Sequence, residues 1–130
     1  MVLLLDASFL IAFDNLEDIH HVQARELWGQ IKEEDYFISD YIFDEIVGII
    51  SRKKGKDRTI IFGNKILEAV PIINIDHNLF EEAWKMFKET KLNLSFTDCT
   101  SLALLKLMKI NRIATFDKAF EKIGWIAVFN

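Results

Sequence analysis

Val2-Leu3-Leu4-Leu5-Asp6 is four apolar residues closed by a carboxylate. An unbroken apolar run of strand length reads as a strand covered on both faces, as in a parallel sheet. An acid at its carboxyl end lies where open α/β sheets bind ligands. Two other segments repeat the pattern. Arg112-Ile113-Ala114-Thr115-Phe116 leads into Asp117, and Leu94-Ser95-Phe96-Thr97 leads into Asp98 at the head of a long apolar helix. Carboxylates converging on one sheet edge form a hard, oxygen-rich site suited to Mg²⁺ or Mn²⁺.

Working outward from the first run, the spacing predicts helices over residues 8–13 and 18–32, the second with Val22, Ala24, Leu27, Trp28 and Ile31 on its apolar side. Tyr36-Phe37-Ile38 is a strand, and Ser39 and Asp40 cap a helix over residues 40–53. Gly55 interrupts it before another helix that ends near Ala69. Pro71 starts a strand over residues 72–75, and Asp76 caps a helix over residues 77–89. Phe96–Met108 is the most apolar helix, followed by a strand over residues 113–115, a helical turn at Lys118–Lys122 and a last strand over residues 125–129. Strands alternating with helices predict a three-layer α/β/α fold with a mostly parallel, roughly five-stranded sheet, in one domain over residues 1–130.

Composition narrows the function classes. The chain has 130 residues, 51% hydrophobic and 28% charged, enough for one real core. Its formal net charge of −4 excludes a generally basic nucleic-acid coat, so a polyanion must be held by a local patch or by a metal. The single cysteine, Cys99, can form neither an internal disulfide nor a zinc cluster alone and reads as a buried thiol. No run reaches the roughly 18 apolar residues of a membrane span, and no basic segment precedes the first apolar run. The expectation is a cytoplasmic protein.

Each acid has a plain structural role open to it. Asp6 and Asp117 can cap the helical segments that follow them, and Ser95-x-x-Asp98 reads as a capping box. Glu45 is different. Ile42, Ile46, Ile49 and Ile50 form the core stripe of its helix, and Glu45 borders that stripe while Asp44 points away. A carboxylate at the edge of a core needs a partner or a metal. Taken jointly, Asp6, Glu45, Asp98 and Asp117 predict one site for metal-assisted phosphoryl chemistry, with Asp6, Asp98 and Asp117 as the metal ligands. Ser8 and Thr115, each two residues from an aspartate, are placed to support the carboxylates.

Arg52, Lys53, Lys54, Lys56 and Arg58 make the densest basic run, and Lys118 adjoins the last aspartate. They are candidate phosphate contacts, read by charge and not by base. His20 and His21 follow Glu17 and Asp18, but the helical zinc pair at i, i+4 is absent and a helix-start cluster is the expected role.

Four segments together resemble PIN-domain proteins of the VapC toxin type. They are Val2-Leu3-Leu4-Leu5-Asp6-Ala7-Ser8-Phe9-Leu10-Ile11-Ala12, Ser39-Asp40-Tyr41-Ile42-Phe43-Asp44-Glu45, Leu94-Ser95-Phe96-Thr97-Asp98-Cys99, and Ala114-Thr115-Phe116-Asp117-Lys118-Ala119-Phe120. The resemblance implies an Mg²⁺- or Mn²⁺-dependent endoribonuclease with its acidic roles on Asp6, Glu45, Asp98 and Asp117. It also implies a homodimer and a small antitoxin that covers the acidic groove. Many members carry a further acid where this chain has Ala119, so the residues point to one metal. Two other classes stay open: a phosphoacceptor domain of receiver or phosphatase type, and a non-catalytic module whose acidic pocket docks a basic peptide.

Overall fold

Leu3, Leu4 and Leu5 are wholly buried although successive strand residues point to opposite faces. Both faces of the sheet are therefore covered. The computed structural model describes residues 1–130. In chain order the elements are β1 (Val2–Leu5), α1 (Ala7–Asp14), α2 (His21–Ile31), β2 (Asp35–Ser39), α3 (Asp40–Lys54), α4 (Lys56–Ala69) and β3 (Ile72–Ile73). Then come α5 (His77–Glu89), α6 (Phe96–Met108), β4 (Arg112–Ala114), a 3-10 turn (Lys118–Lys122) and β5 (Ala127–Phe129). The five strands lie in the order β3-β2-β1-β4-β5 and every pairing is parallel. The α/β sandwich expected from the sequence is the observed fold.

The order places the functional edge. From β1 the chain steps outward through β2 to β3, whereas β4 and β5 lie on the other side of β1. The direction reverses between β1 and β4, and the crevice at such a reversal is where doubly wound sheets bind ligands. The Asp6 amide donates to the Ala114 carbonyl at 2.9 Å, so the ends of β1 and β4 are locked together there. Beneath them lies one core containing Phe9, Ile38, Ile42, Ile46, Leu104, Leu105 and Phe120.

Several element ends differ from expectation for local reasons. The second helix starts at His21 and not near residue 18, because Asp18 Oδ1 accepts from the His20 amide and Asn15 Oδ1 from the Glu17 amide, folding residues 15–20 as turns. Val22 consequently stands exposed rather than on the apolar side of α2. β3 stops at Ile73 and not at residue 75, since the Ile75 amide turns to Asp40 Oδ1 at 3.0 Å. Thr115 lies just past β4, although its amide still bonds the Phe129 carbonyl at 3.0 Å. The last strand begins at Ala127, with Trp125 outside it.

Gly55 separates α3 from α4 with φ 85° and ψ 173°. That region is essentially closed to residues with a Cβ. Gly55→Ala is expected to lower unfolding free energy by about 1–3 kcal/mol with helix content unchanged; denaturant titration followed by circular dichroism measures it. An unchanged midpoint would show that the two helices do not need this geometry.

Candidate active site

The switch-point crevice holds a pocket of about 390 Å³ lined by Asp6, Ser8, Ile11, Glu45, Ile49, Asn93, Leu94, Ser95, Asp98 and Asp117. The four acids arrive from four segments. Asp6 leaves β1, Glu45 projects from α3, Asp98 sits in the first turn of α6 and Asp117 follows β4. No lysine or arginine lines the pocket.

Each aspartate is fixed by hydrogen bonds through one oxygen. Asp6 occupies the N-cap position of α1 but makes no side-chain cap bond. Its Oδ2 accepts from Thr115 Oγ1 at 2.7 Å and from Ser8 Oγ at 3.0 Å. Those two hydroxyls lie 3.1 Å apart; Ser8 Oγ accepts from the Phe116 amide and Thr115 Oγ1 from the Asp117 amide. Asp98 completes the capping box: Oδ2 accepts from the Ser95 amide at 2.9 Å while its own amide donates to Ser95 Oγ. Asp117 Oδ1 accepts from the Ala119 amide at 3.0 Å and caps the 3-10 turn. Capping and site geometry thus coexist, because a carboxylate accepts roughly four hydrogen bonds and each retains capacity for a ligand.

Burial and mutual repulsion charge this pocket. Asp6 is 4% and Asp98 6% exposed. Desolvation raises the Asp6 pKa above its usual value even though Thr115, Ser8 and the Ala7 amide pull it down. Desolvation followed by the charges of Asp6 and Asp98 pushes Glu45 up to about 7, against the Thr97 hydroxyl. Desolvation and the Asp6 charge push Asp98 up to about 6. Cys99, wholly buried, is raised by burial first and by Asp98 second, consistent with an inert thiol. No three acidic, histidine or cysteine side chains close into a ready-made cage. The arrangement is open, which suits an ion that keeps several of its waters and takes only one or two carboxylates directly.

The family model for the PIN domain matches residues 3–126. The chain belongs to the PIN domain family. The 23S rRNA-specific endonuclease VapC20 of Mycobacterium tuberculosis is 25% identical to it over 129 residues, 98% of each chain. A crystal structure of VapC20, described as a Sarcin-Ricin loop cleaving toxin, matches this PIN domain with a TM-score of 0.87 at 25% identity, over 95% of this chain and 96% of that one. VapBC2 from Rickettsia felis, solved bound to a DNA fragment from its promoter, gives a TM-score of 0.74 at 16% identity, over 100% of this chain and 98% of that one. At that identity the likeness is one of fold.

The remaining candidates fall around the pocket. Lys53, Lys54 and Arg58 line an adjoining pocket of about 220 Å³ that shares Ile11 and Ile49 with the acidic one. Arg58 is tied to Asp14 at 2.6 Å and Lys54 to Glu17 at 3.6 Å. Arg52, Lys56 and Lys118 are exposed and line neither pocket. His20 stacks flat on Phe116, centroids 4.5 Å apart, and His21 Nδ1 bonds the Ala12 carbonyl, so the histidines anchor residues 15–20 to the body. Sequence reading missed Thr97, Asn93 and the apolar walls Ile11 and Ile49. Thr97 and Asn93 were findable as polar neighbours of Asp98; the isoleucines carry no signal beyond core spacing. No helix is long and apolar enough to cross a membrane.

A prediction follows from the raised carboxyl groups. Glu45 moves from 4.5 to about 7 and Asp98 from 3.8 to about 6, so the folded chain holds protons that the unfolded chain has lost. The contribution of these two groups to the stability of the metal-free chain is therefore full below about pH 4 and is lost as pH rises to about 7. Glu45→Gln removes one of the repelling charges. It is expected to raise Tm at pH 7.5, by about 4 °C for each kcal/mol relieved, and to flatten the slope of Tm between pH 4 and 7. Melting curves with chelator present measure both; a Tm at pH 7.5 equal to or below wild type contradicts the assigned repulsion.

Proposed function

We propose that this chain is a divalent-cation-dependent endoribonuclease that hydrolyses RNA phosphodiesters at the acidic pocket, and that it is the toxin of a toxin-antitoxin pair. The observation carrying this reading is four carboxylates from four segments in one pocket with no cationic side chain in the lining. The PIN-domain match and the endonuclease relative, similar over nearly its whole length, supply the reaction class.

The donor set fits the metal: all ligands offered are oxygen, as Mg²⁺ and Mn²⁺ prefer. Asp6, Asp98 and Asp117 would hold the ion directly or through water, with Ser8 and Thr115 fixing Asp6. When bound, such an ion neutralises phosphoryl charge and lowers the pKa of its water. Glu45 would complete the shell or orient the attacking water, which displaces the leaving oxygen in line without a covalent enzyme intermediate. Ala119 offers only its amide to Asp117, and the pocket supplies carboxylates for one ion. Lys53 of the adjoining pocket, which forms no ion pair, would meet an RNA phosphate flanking the cleaved one across the Ile11–Ile49 wall, while Lys54 and Arg58 are engaged by Glu17 and Asp14.

A phosphoacceptor role fits less well. An aspartyl-phosphate among three further carboxylates would face no lysine or arginine in the lining. The antitoxin reading rests on neighbouring folds solved as toxin-antitoxin complexes, among them one from Klebsiella pneumoniae with a TM-score of 0.63 at 20% identity. A partner that presents a basic side chain to the pocket would offset the same repulsion as a metal.

Purified chain is expected to cleave members of a tRNA, rRNA and messenger RNA panel only with Mn²⁺ or Mg²⁺ present. Asp6→Asn is expected to reduce cleavage by about 100-fold or more, the scale of a lost metal-charge contribution. Equal cleavage by a stringently purified Asp6→Asn protein would overturn the assignment.

A further inference from the structure

Asn93 lines the acidic pocket beside the carboxylates, yet its side chain makes no hydrogen bond within the protein. The other uncharged polar side chains of the lining are committed. Ser8 Oγ donates to Asp6 Oδ2 and accepts from the Phe116 amide. Ser95 Oγ accepts from the Asp98 amide as the N-cap of α6. The backbone holds Asn93 at the pocket mouth. The Leu94 amide donates to the Leu92 carbonyl at 2.9 Å, a three-residue turn with Asn93 at its centre. The only non-glycine residue with positive φ is Lys109, so this is the common inverse form of the turn and carries no strain. Both flanks of the apex are anchored. The Leu92 amide bonds Thr90 Oγ1 at 3.1 Å, Leu94 is 7% exposed, and the Ser95 amide is held by Asp98 Oδ2. The last bond ties the turn to one of the four acids, while Asn93 itself stands exposed.

The other polar groups of the site address phosphate and nothing else. Carboxylates that hold a divalent cation serve the phosphodiester, a group that RNA and DNA share. Lys53, beyond the Ile11–Ile49 wall, offers only charge. An enzyme confined to RNA needs in addition a group that meets the ribose 2′-hydroxyl, the feature by which a protein tells the two polymers apart at a given sugar. That hydroxyl both donates and accepts hydrogen bonds. A carboxylate can only accept and a lysine only donate, whereas a primary amide does both. Being uncharged, the amide also adds nothing to the repulsion among the four acids.

We propose that Asn93 is the specificity-determining residue that selects RNA, its side-chain amide hydrogen-bonded to the 2′-hydroxyl of a nucleotide adjoining the cleaved bond. This rests on the nuclease function proposed above and names the group within it that chooses ribose. Truncation of Asn93 to alanine leaves the carboxylates and the Ser95–Asp98 capping box intact, because no side-chain bond of theirs runs through it.

A cycle between protein and substrate tests this. An RNA oligonucleotide that the full wild-type chain cleaves at a mapped bond is remade with a single 2′-deoxy sugar at each nucleotide flanking that bond in turn. Cleavage with Mn²⁺ then gives kcat/KM for wild type and for Asn93→Ala. One of the deoxy sugars is expected to lower the wild-type kcat/KM about fivefold to tenfold, the scale of one lost hydrogen bond. Asn93→Ala is expected to lower kcat/KM on the all-ribose substrate by a similar factor, and the same deoxy sugar should then cost the variant less than about twofold more. Its Mn²⁺ affinity and Tm should match wild type. A variant that cleaves the all-ribose substrate as well as wild type overturns the proposal, as does one that keeps the full deoxy penalty. A loss recovered by raising Mn²⁺ also overturns it and assigns Asn93 to the metal shell. A wild type that cleaves RNA but is indifferent to every deoxy sugar leaves the nuclease standing and removes only the role of Asn93. A wild type that cleaves no RNA removes the nuclease reading, and this assignment with it.

Discussion

The 2.7 Å hydrogen bond from Thr115 Oγ1 to Asp6 Oδ2 joins residues from opposite ends of the chain, and the pocket depends on it. Asp6 is buried at the meeting of β1 and β4, where desolvation works against its charge. Two hydroxyls and the Ala7 amide offset part of that cost. Ser8 and Thr115 in turn accept the amides of Phe116 and Asp117, so the carboxylate, both hydroxyls and the backbone after β4 form one bonded unit. Such a unit fixes the position of the carboxylate and lowers the cost of its burial. Repulsion from Asp6 then contributes to raising Glu45 and Asp98, after desolvation.

The fold was legible because its signals were local. Val2–Leu5 is apolar throughout because both sheet faces are covered, and Gly55 breaks α3 from α4 because its backbone geometry needs glycine. The grouping of the candidate site was legible for a related reason. Asp6 and Asp117 follow β1 and β4, the strands that flank the switch point, and Glu45 stood out as a charge bordering an isoleucine stripe; Asp98 joins them from the head of α6 and not from a strand end. Helix-capping roles, which seemed to compete with a site, turned out compatible with it at Asp98 and Asp117 and absent at Asp6.

What the sequence hid depends on distance along the chain. The Arg58–Asp14 pair spans 44 positions, and nothing near either residue announces it. It converts part of the basic run from free phosphate contacts into a wall of the pocket beside the acids. The aromatic hub is similar: Phe80, Trp84 and Phe87 of α5 stand partly exposed around Phe96 of the next helix, a grouping made by the packing of the two helices. The turns at residues 15–20 arise from short side-chain-to-backbone bonds that compete with the first turn of α2, a contest that spacing alone does not decide.

These features describe a molecule organised around unrelieved negative charge: acids fixed by hydroxyls and amides, cations kept out of the lining, and a pocket of paired charges one wall away. The central claim is that a divalent cation completes this arrangement. Anomalous scattering from crystals of the wild-type chain soaked in Mn²⁺ at pH 7.5 tests it most directly. The account predicts one principal peak in the pocket, within about 2.2 Å of a carboxylate oxygen of Asp6, Asp98 or Asp117 or one water layer away. Manganese bound elsewhere on the chain, with no peak among these three aspartates, would contradict it.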